Sequence, residues 1–510
     1  MLDIAIKGGT ALAGADCRPE RADVGIADGR VVSIGAHVGA ARVSLDAAGG
    51  VVVPGFVDIH THSDFTLPVR PHAEAKLRQG VTTDVTGNCG FSPFPLPATD
   101  AARAFGRFFE PDLAERWESV AGFGAASDAE GFGVNLAPLI GLGSVRLAVM
   151  GDAEGEPSRR ELTAMQDLLG RELELGAFGA SSGLIYAPGS YAGVEELSAM
   201  ASVIAKHGCL YATHVRNEAA KLEAAIEEAL DTASRAGCAL QLSHHKAVGR
   251  ENWGAVDRTL DRVDAANRDG QDVWVDVYPY VAGSTSLGVL VPPEELSGDD
   301  PGRRDRLVAA IEASELMSLS DLVLALVPSR PELNGRPLVE VAAERGASPA
   351  EMAAELLETD GASVVVVVGG MSEDDLRSVL RHPRSVIGSD GWVMSTEATA
   401  YTHPRSFGCS ARLLARYVRD DGLLSLSEAV RKLAVLPARR IGLRDRGLLE
   451  PGMVADVAVL DLERLDEVAS FEQPNAHPVG VEHVVVGGQV ALEAGELTGR
   501  RAGTVLTRRP

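Results

Sequence analysis

From residue 56 onward the sequence alternates short apolar runs with helical stretches, and this alternation narrows the possible folds more than any other feature of the chain. The runs "FVDIHTH", "TTDVTGNC", "GVNLAPLIG", "GAFGASSG", "YATHVR", "LQLSHH", "VWVDVYPY" and "SVIGSDG" are separated by stretches such as "ELTAMQDLLGRELELG" and "NEAAKLEAAIEEALDTASRAG". This is the pattern of repeated βα units around a parallel sheet. Eight such units predict an α/β protein with a closed (β/α)8 TIM-type barrel rather than an open doubly wound sheet. Between the seventh and eighth runs, about residues 285–383 include the polar "PPEELSGDDPGRRDR" and the strand-like "SVVVVVGG". That is far more than a normal connection needs, so it reads as an inserted subdomain.

The two ends of the chain have a different period. "DIAIKGG", "ADVGIADGRVVSIG" and "GVVVPG" near the start, and "GMVADVAVLDL" through "EHVVVGGQVALEAG" near the end, are short β-prone runs broken by Gly and Asp turns. Both termini are therefore expected to build one small β-sandwich domain, residues 1–54 with 447–510, around a barrel spanning 55–446. A formal net charge of -24, from 48 Lys and Arg against 72 Asp and Glu, repels phosphate backbones and anionic bilayers. A nucleic-acid partner and a membrane surface are both disfavoured by it. Five scattered cysteines without a CxxC pair suit a reducing cytoplasm better than a disulfide framework. "MLDIAIKGGTALAG" lacks the regions of a signal peptide, and "SVVVVV" and "DLVLAL" are too short to span a bilayer. A soluble cytoplasmic protein is the expectation, with its oligomeric state open.

In such a barrel the active site gathers at the C-terminal ends of the strands. The candidate strand ends carry His60 and His62 on the first, Cys89 on the second and His214 on the fifth. The sixth carries His244 and His245, and the eighth Asp390. Along a strand, residues i and i+2 share a face, so His60 and His62 are expected to project together. By the same alternation His245 points away from His244 as a packing residue, while Lys246 returns to its side. Imidazole, thiolate and carboxylate donors converging on one rim suit Zn²⁺.

Seven stretches carry a family resemblance: "VVPGFVDIHTHSD", "GVTTDVTGNCGFSP", "ATHVRNE", "SHHKAVG", "YPYVAGST", "IGSDG" and "HPRSFG", in this order. They resemble the D-aminoacylase (N-acyl-D-amino-acid deacylase) group of the amidohydrolase superfamily. "IAIKGGTALAG", "DVGIADGRVVSIG" and "GLLEPGMVADVAVLD" are similar to that superfamily's small β domain, so the resemblance spans nearly the whole chain. It implies a tightly held zinc on Cys89, His214 and His244. A second, weaker metal position shares the thiolate and adds His60, His62 and Asp390. Cys89 then stands where many related amidohydrolases have a carboxylated lysine. The resemblance also assigns Lys246, Tyr278, Ser284 and Arg405 to the substrate carboxylate. The implied reaction is hydrolysis of N-acyl-D-amino acids, small-molecule substrates, to a carboxylate and a free D-amino acid. Zinc activates water and the amide carbonyl for it, and Asp390 acts as general base and then acid.

Three other readings compete. "GASSG", residues 179–183, matches G-x-S-x-G and would make Ser181 a nucleophile. That motif needs a following helix, whereas "LIYAPGSYAG" reads as a loop. A cyclic amidase of the dihydropyrimidinase or dihydroorotase type shares the barrel and HxH, but generally bridges its metals with a lysine on strand four, which "GAFGASSG" lacks. A catalytically silent scaffold on the same fold would have no use for the full donor set. The stretch "WVMSTEATAYT" between "SDG" and "HPRSFG" is longer than in the short-loop members of the group. The path of Arg405 to the site, the preferred acyl group and the preferred side chain therefore stay open.

Overall fold

The computed structural model describes residues 1–97, 110, 113, 117–151, 153–296, 300–398 and 400–508. Residues 297–299 of the polar insert segment and residue 399 of the loop ahead of Arg405 lie outside these. Eight strands form one sheet: β1 (Phe56–Asp58), β2 (Val81–Thr86), β3 (Asn135–Gly141), β4 (Gly179–Gly183), β5 (Leu210–His214), β6 (Ala239–Leu242), β7 (Val273–Val277) and β8 (Ser385–Ile387). They neighbour one another in chain order, every pair parallel. A parallel bridge between Thr61 and Gly391 joins the ends of β1 and β8 and closes the barrel.

The strands are buried on both faces, as parallel strands enclosed by helices must be; all seven residues of β3 are buried. Several of the surrounding helices are amphipathic. On Leu222–Ala236 the buried residues Leu222, Ala225, Ile226, Ala229, Leu230 and Ala233 recur at three and four residue steps. Arg159–Glu174 starts with a capping box in which Ser158 and Glu161 satisfy each other's backbone N–H groups.

Lys76 strengthens the barrel seam below the rim. Its buried Nζ donates to Asp58 Oδ2 (2.8 Å) and Ser389 Oγ (3.1 Å), while the Ser389 N–H donates to Asp58 Oδ1 (2.8 Å). Charges buried this deeply survive only when paired and hydrogen-bonded.

Two further sheets stand outside the barrel, the first from the N-terminal segment alone and the second from both termini. One has four strands, in the order Arg30–Gly35, Asp23–Ala27, Leu2–Lys7 and Ala41–Asp46. The other has seven, and within it Val51–Pro54 pairs antiparallel with Val457–Leu460. Ile4, Ile6, Val24 and Ile26 share a core with Val52, Val457, Val459 and Val485, so the two sheets pack as a sandwich.

Between β7 and β8 the chain builds a three-stranded antiparallel sheet from Gly283–Ser286, Val365–Val368 and Leu322–Leu326, covered by Arg303–Ala313, Leu338–Glu344 and Pro349–Asp360. The helix Glu373–Arg381 then packs against β7 and β8 as the barrel's own connection. The last described residues return to the barrel. Gly503 N–H donates to Phe132 O, Leu506 N–H to Leu136 O and Arg508 N–H to Gly176 O, each at 2.7 Å, across the N-terminal ends of β3 and β4. Gly503 is needed there, because a Cβ would fall 2.1 Å from the Val134 carbonyl oxygen. No helix among the described residues is long and apolar enough to cross a membrane.

Candidate metal centre

Most of the donors read from the sequence lie just past the strands rather than on them. β1 ends at Asp58, so His60 and His62 occupy the turn beyond it, and strand alternation is not what brings them together; their rings stand 5.6 Å apart. β2 ends three residues before Cys89, β6 two before His244 and β8 three before Asp390. At these three residues the backbone is left-handed, with φ of 53°, 35° and 50°. Non-glycine residues adopt that conformation rarely and at a cost, and here it turns each side chain back over the barrel mouth. His214 alone ends a strand.

All six side chains are buried. Cys89 Sγ is 3.3 Å from His60 Nε2 and 3.6 Å from both His214 Nδ1 and His244 Nε2. Asp390 Oδ1 is 3.1 Å from His62 Nε2 and 3.4 Å from His60 Nε2. Among the described residues, one ligand atom each of His60, Cys89, His244 and Asp390 lies within 4.8 Å of the others, and the same holds for His214, Glu218 and His244. Burial opposes ionisation of Cys89, yet the His60 charge and the hydrogen bonds of His214, His244 and His60 bring its thiol well below the ordinary range. A thiolate among imidazoles with a carboxylate beside them is a donor set that fits zinc.

Two carboxylates near this cluster were not singled out from the sequence. Glu218 Oε1 lies 2.9 Å from His244 Nδ1 and 2.6 Å from Lys246 Nζ, and Oε2 lies 3.9 Å from His214 Nε2. Against its burial, Lys246, His214 and His244 hold it well below the ordinary glutamate value. Asp276, the one carboxylate of β7, faces His60 Nδ1 at 3.1 Å and accepts from the His244 backbone N–H at 2.7 Å. Such partners orient metal-binding imidazoles and fix their tautomers. The acid in "VWVDV" was a visible signal, since a charge inside an apolar strand needs a reason; Glu218 stood only as the last letter of "ATHVRNE".

The residues assigned to a carboxylate surround the cluster. Lys246 Nζ is 2.8 Å from His244 Nδ1 and 5.6 Å from the centre of the Tyr278 ring. His245 turns the opposite way, its Nε2 2.9 Å from Thr259 Oγ1. Both orientations follow from the left-handed turn at His244, since β6 has already ended. Tyr278 is fully buried, and its hydroxyl has no hydrogen-bond partner among the described residues. Arg405 opens the helix Arg405–Arg412, stacks 4.8 Å over the Tyr278 ring and ion-pairs with Asp390 Oδ2 at 2.8 Å. Desolvation would raise the Asp390 carboxyl, but Arg405, His244, His60 and His62 keep it well below the carboxylate range. Ser284 presents its carbonyl 3.5 Å from Arg405 Nη2. Ser181 is buried on β4, donating to Gly87 O and accepting from Gly90 N–H at 2.8 Å, with no base hydrogen-bonded to it among the described residues. A cavity of about 920 Å³ opens from the cluster toward the insert.

Comparison with known proteins places this arrangement. A model of the amidohydrolase family matches residues 44–287 and 300–492. The chain is 38% identical to an N-acyl-D-glutamate deacylase of Alcaligenes xylosoxydans xylosoxydans, over 96% of this chain and 93% of that protein. It is 36% identical to a D-aminoacylase of the same organism, over 99% and 98%. Among solved structures, an N-acyl-D-glutamate deacylase from Bordetella bronchiseptica, complexed with zinc and a phosphonate inhibitor that mimics the reaction's tetrahedral intermediate, superimposes with a TM-score of 0.86 at 36% identity over 99% of both chains.

Proposed function

The chain belongs to the amidohydrolase family, and from that premise we propose that it is a zinc-dependent deacylase of N-acyl-D-amino acids. The observation that carries this reading is the convergence of Cys89 with three imidazoles at the barrel mouth, directly beside Lys246, Tyr278 and Arg405. Cys89, His214 and His244 would hold the tight zinc, with His60, His62 and Asp390 available for a second, weaker ion. When bound, zinc supplies a Lewis acid that polarises the scissile carbonyl and acidifies water.

The chain's own residues supply the rest. Asp390 takes the proton of the attacking water and returns it to the departing amine nitrogen, so no covalent intermediate is needed. Glu218 and Asp276 keep the imidazoles in register. Arg405, Lys246, the Tyr278 hydroxyl and Ser284 bind the substrate carboxylate, the guanidinium through two parallel hydrogen bonds that a lysine cannot copy. Fixing the carboxylate and the scissile amide at two points leaves room for the side chain of one enantiomer. A cyclic amide as substrate finds less support, because β4 holds no lysine and a free carboxylate has a ready grip. Five buried free cysteines suit a reducing compartment, and we assign the protein to the cytoplasm.

Steady-state hydrolysis of N-acetyl-D- against N-acetyl-L-amino acids, with zinc measured on the same preparation, tests the reading. Hydrolysis selective for the D series, close to one tight zinc per chain, and loss of metal and activity together in Cys89→Ala are expected. A preference for L substrates would remove the stereochemical assignment, and full activity without zinc would remove the mechanism.

A further inference from the structure

Gln241 lies on β6, buried between two charged groups, and the metal reading gives it no part. Its Nε2 donates to Asp276 Oδ2 at 2.9 Å, and its Oε1 accepts from Arg440 Nε at 3.3 Å. A guanidinium only donates and a carboxylate only accepts, so the amide between them has a single workable orientation. A buried amide is costly unless it is hydrogen-bonded, and here both of its ends are.

Arg440 is the fixed end of this arrangement. It closes the helix Leu436–Arg440, its side chain is 5% exposed, and it donates to Asp272 Oδ2 at 2.6 Å and to the carbonyls of Leu240 and Asp272. These groups stand at the N-terminal ends of β6 and β7, away from the ends of β3 and β4 that residues 503–508 cross.

Asp276 is the working end. While Oδ2 takes the Gln241 amide, Oδ1 accepts from the His244 backbone N–H at 2.7 Å and faces His60 Nδ1 at 3.1 Å. An acceptor facing Nδ1 holds the proton there and leaves the Nε2 lone pair for a metal. That Nε2 lies 3.3 Å from Cys89 Sγ and 3.4 Å from Asp390 Oδ1. Gly388 leaves no slack around the pair, since a Cβ there would fall 2.5 Å from His60 Cβ and 3.3 Å from Asp276 Oδ1. The terminal torsion of an aspartate is soft, so bonds to Oδ1 alone do not fix the plane of the carboxylate. The amide at Oδ2 does.

We propose that Gln241 is a positioning residue of the metal centre: oriented by Arg440, it fixes the Asp276 carboxylate, and through it keeps His60 with Nδ1 donating and Nε2 open to the weaker metal position. The proposal rests on the zinc reading above and adds to it a residue outside the ligand set.

Zinc titration of the full-length protein against a competing chelator, read separately for the tight and the weaker position, tests it. Gln241→Met keeps the length of the side chain and removes its donor. The second zinc should then bind roughly 10- to 100-fold more weakly, as expected when the partner of a metal ligand is lost, with the tight zinc still close to one per chain. Gln241→Glu keeps an acceptor for Arg440 but turns an oxygen toward Asp276, and should weaken the same zinc. In an Asp276→Asn background Gln241→Met should add little, because its effect runs through that carboxylate, whereas a role in filling the barrel would add in full. Wild-type affinity for the second zinc in Gln241→Met, equal weakening of both zincs, or full additivity with Asp276→Asn overturns the proposal. If Gln241→Met does not fold, Gln241→Glu and its own combination with Asp276→Asn decide by the same outcomes. Wild-type protein that takes up a single zinc and still hydrolyses N-acetyl-D-amino acids selectively also overturns the proposal and leaves the deacylase reading intact. Protein that holds zinc yet cleaves none of these substrates removes the deacylase reading, and the zinc affinities still decide the role of Gln241.

Discussion

At Cys89, His244 and Asp390 the chain accepts left-handed backbone on non-glycine residues, at a cost on the order of 1–3 kcal/mol each, and in return aims three donors at one point. Asparagine tolerates this conformation better than most residues, so Asp390→Asn removes the proposed proton acceptor while preserving the turn. Its kcat should fall by about 10²- to 10⁴-fold with tight zinc retained, as steady-state kinetics and metal analysis on one sample will show. Near-normal turnover would mean that another group moves the proton. Glu218 makes a different demand, because one carboxylate braces His244 and also pairs with Lys246. Glu218→Gln keeps the shape but cannot accept from both neighbours as an anion. Chelator competition should find zinc held roughly 10- to 100-fold more weakly, and KM for the carboxylate substrate should rise as Lys246 loses its partner. Unaltered zinc affinity would reduce Glu218 to a simple counterion.

Among the elements, the eight barrel strands and the β-rich ends were legible in the sequence because their apolar runs and turn residues are local signals. The alternation argument at the rim was less successful. β1 and β6 end before His60 and His244, and nothing local announces a left-handed turn at a histidine. Partnerships between distant segments were equally hidden, such as Glu218 with His244 and Lys246, or Arg405 with Asp390, since a single sequence does not tell which loops meet. His403 belongs to this class. Its Nδ1 accepts from the Arg405 backbone N–H at 3.0 Å and its Nε2 faces the Ala282 carbonyl at 2.8 Å, tying the start of Arg405–Arg412 to the insert. Burial, followed by the Arg405 charge, pushes its pKa well below 6.5. The unfolded chain thus takes up this proton before the folded one does. The resulting stability is complete above about pH 6.5 and is lost as the pH falls toward the folded-state value, at up to about 1.4 kcal/mol per pH unit. Urea midpoints at pH 7 and pH 5 should differ less in His403→Gln than in the wild type, and equal differences would show that His403 does not carry the acid sensitivity.

For the whole molecule, the two ends of the barrel have separate duties: the mouth carries the donors, and the opposite end is crossed by residues 503–508. Removing residues 503–510 deletes the backbone bonds to Phe132, Leu136 and Gly176 and uncovers Val505 and Leu506, which pack on the barrel cores. At about 1 kcal/mol per hydrogen bond, plus the exposed apolar area, the truncated chain should be less stable by several kcal/mol in urea. Its kcat/KM per folded molecule should be unchanged, because the rim is untouched; a large kinetic defect would show that the two ends communicate. The seam between β1 and β8, where Asp390 N–H donates to His60 O at 2.7 Å and His62 N–H to Gly391 O at 3.0 Å, joins residues more than 300 positions apart. A ribosome adds about 5–20 residues per second, so the roughly 300 residues between Cys89 and Asp390 take on the order of 15–60 s to emerge. Throughout that interval the nascent thiol lacks the aspartate that completes its surroundings, and oxidants and stray soft metals have their best access to it before the protein is whole.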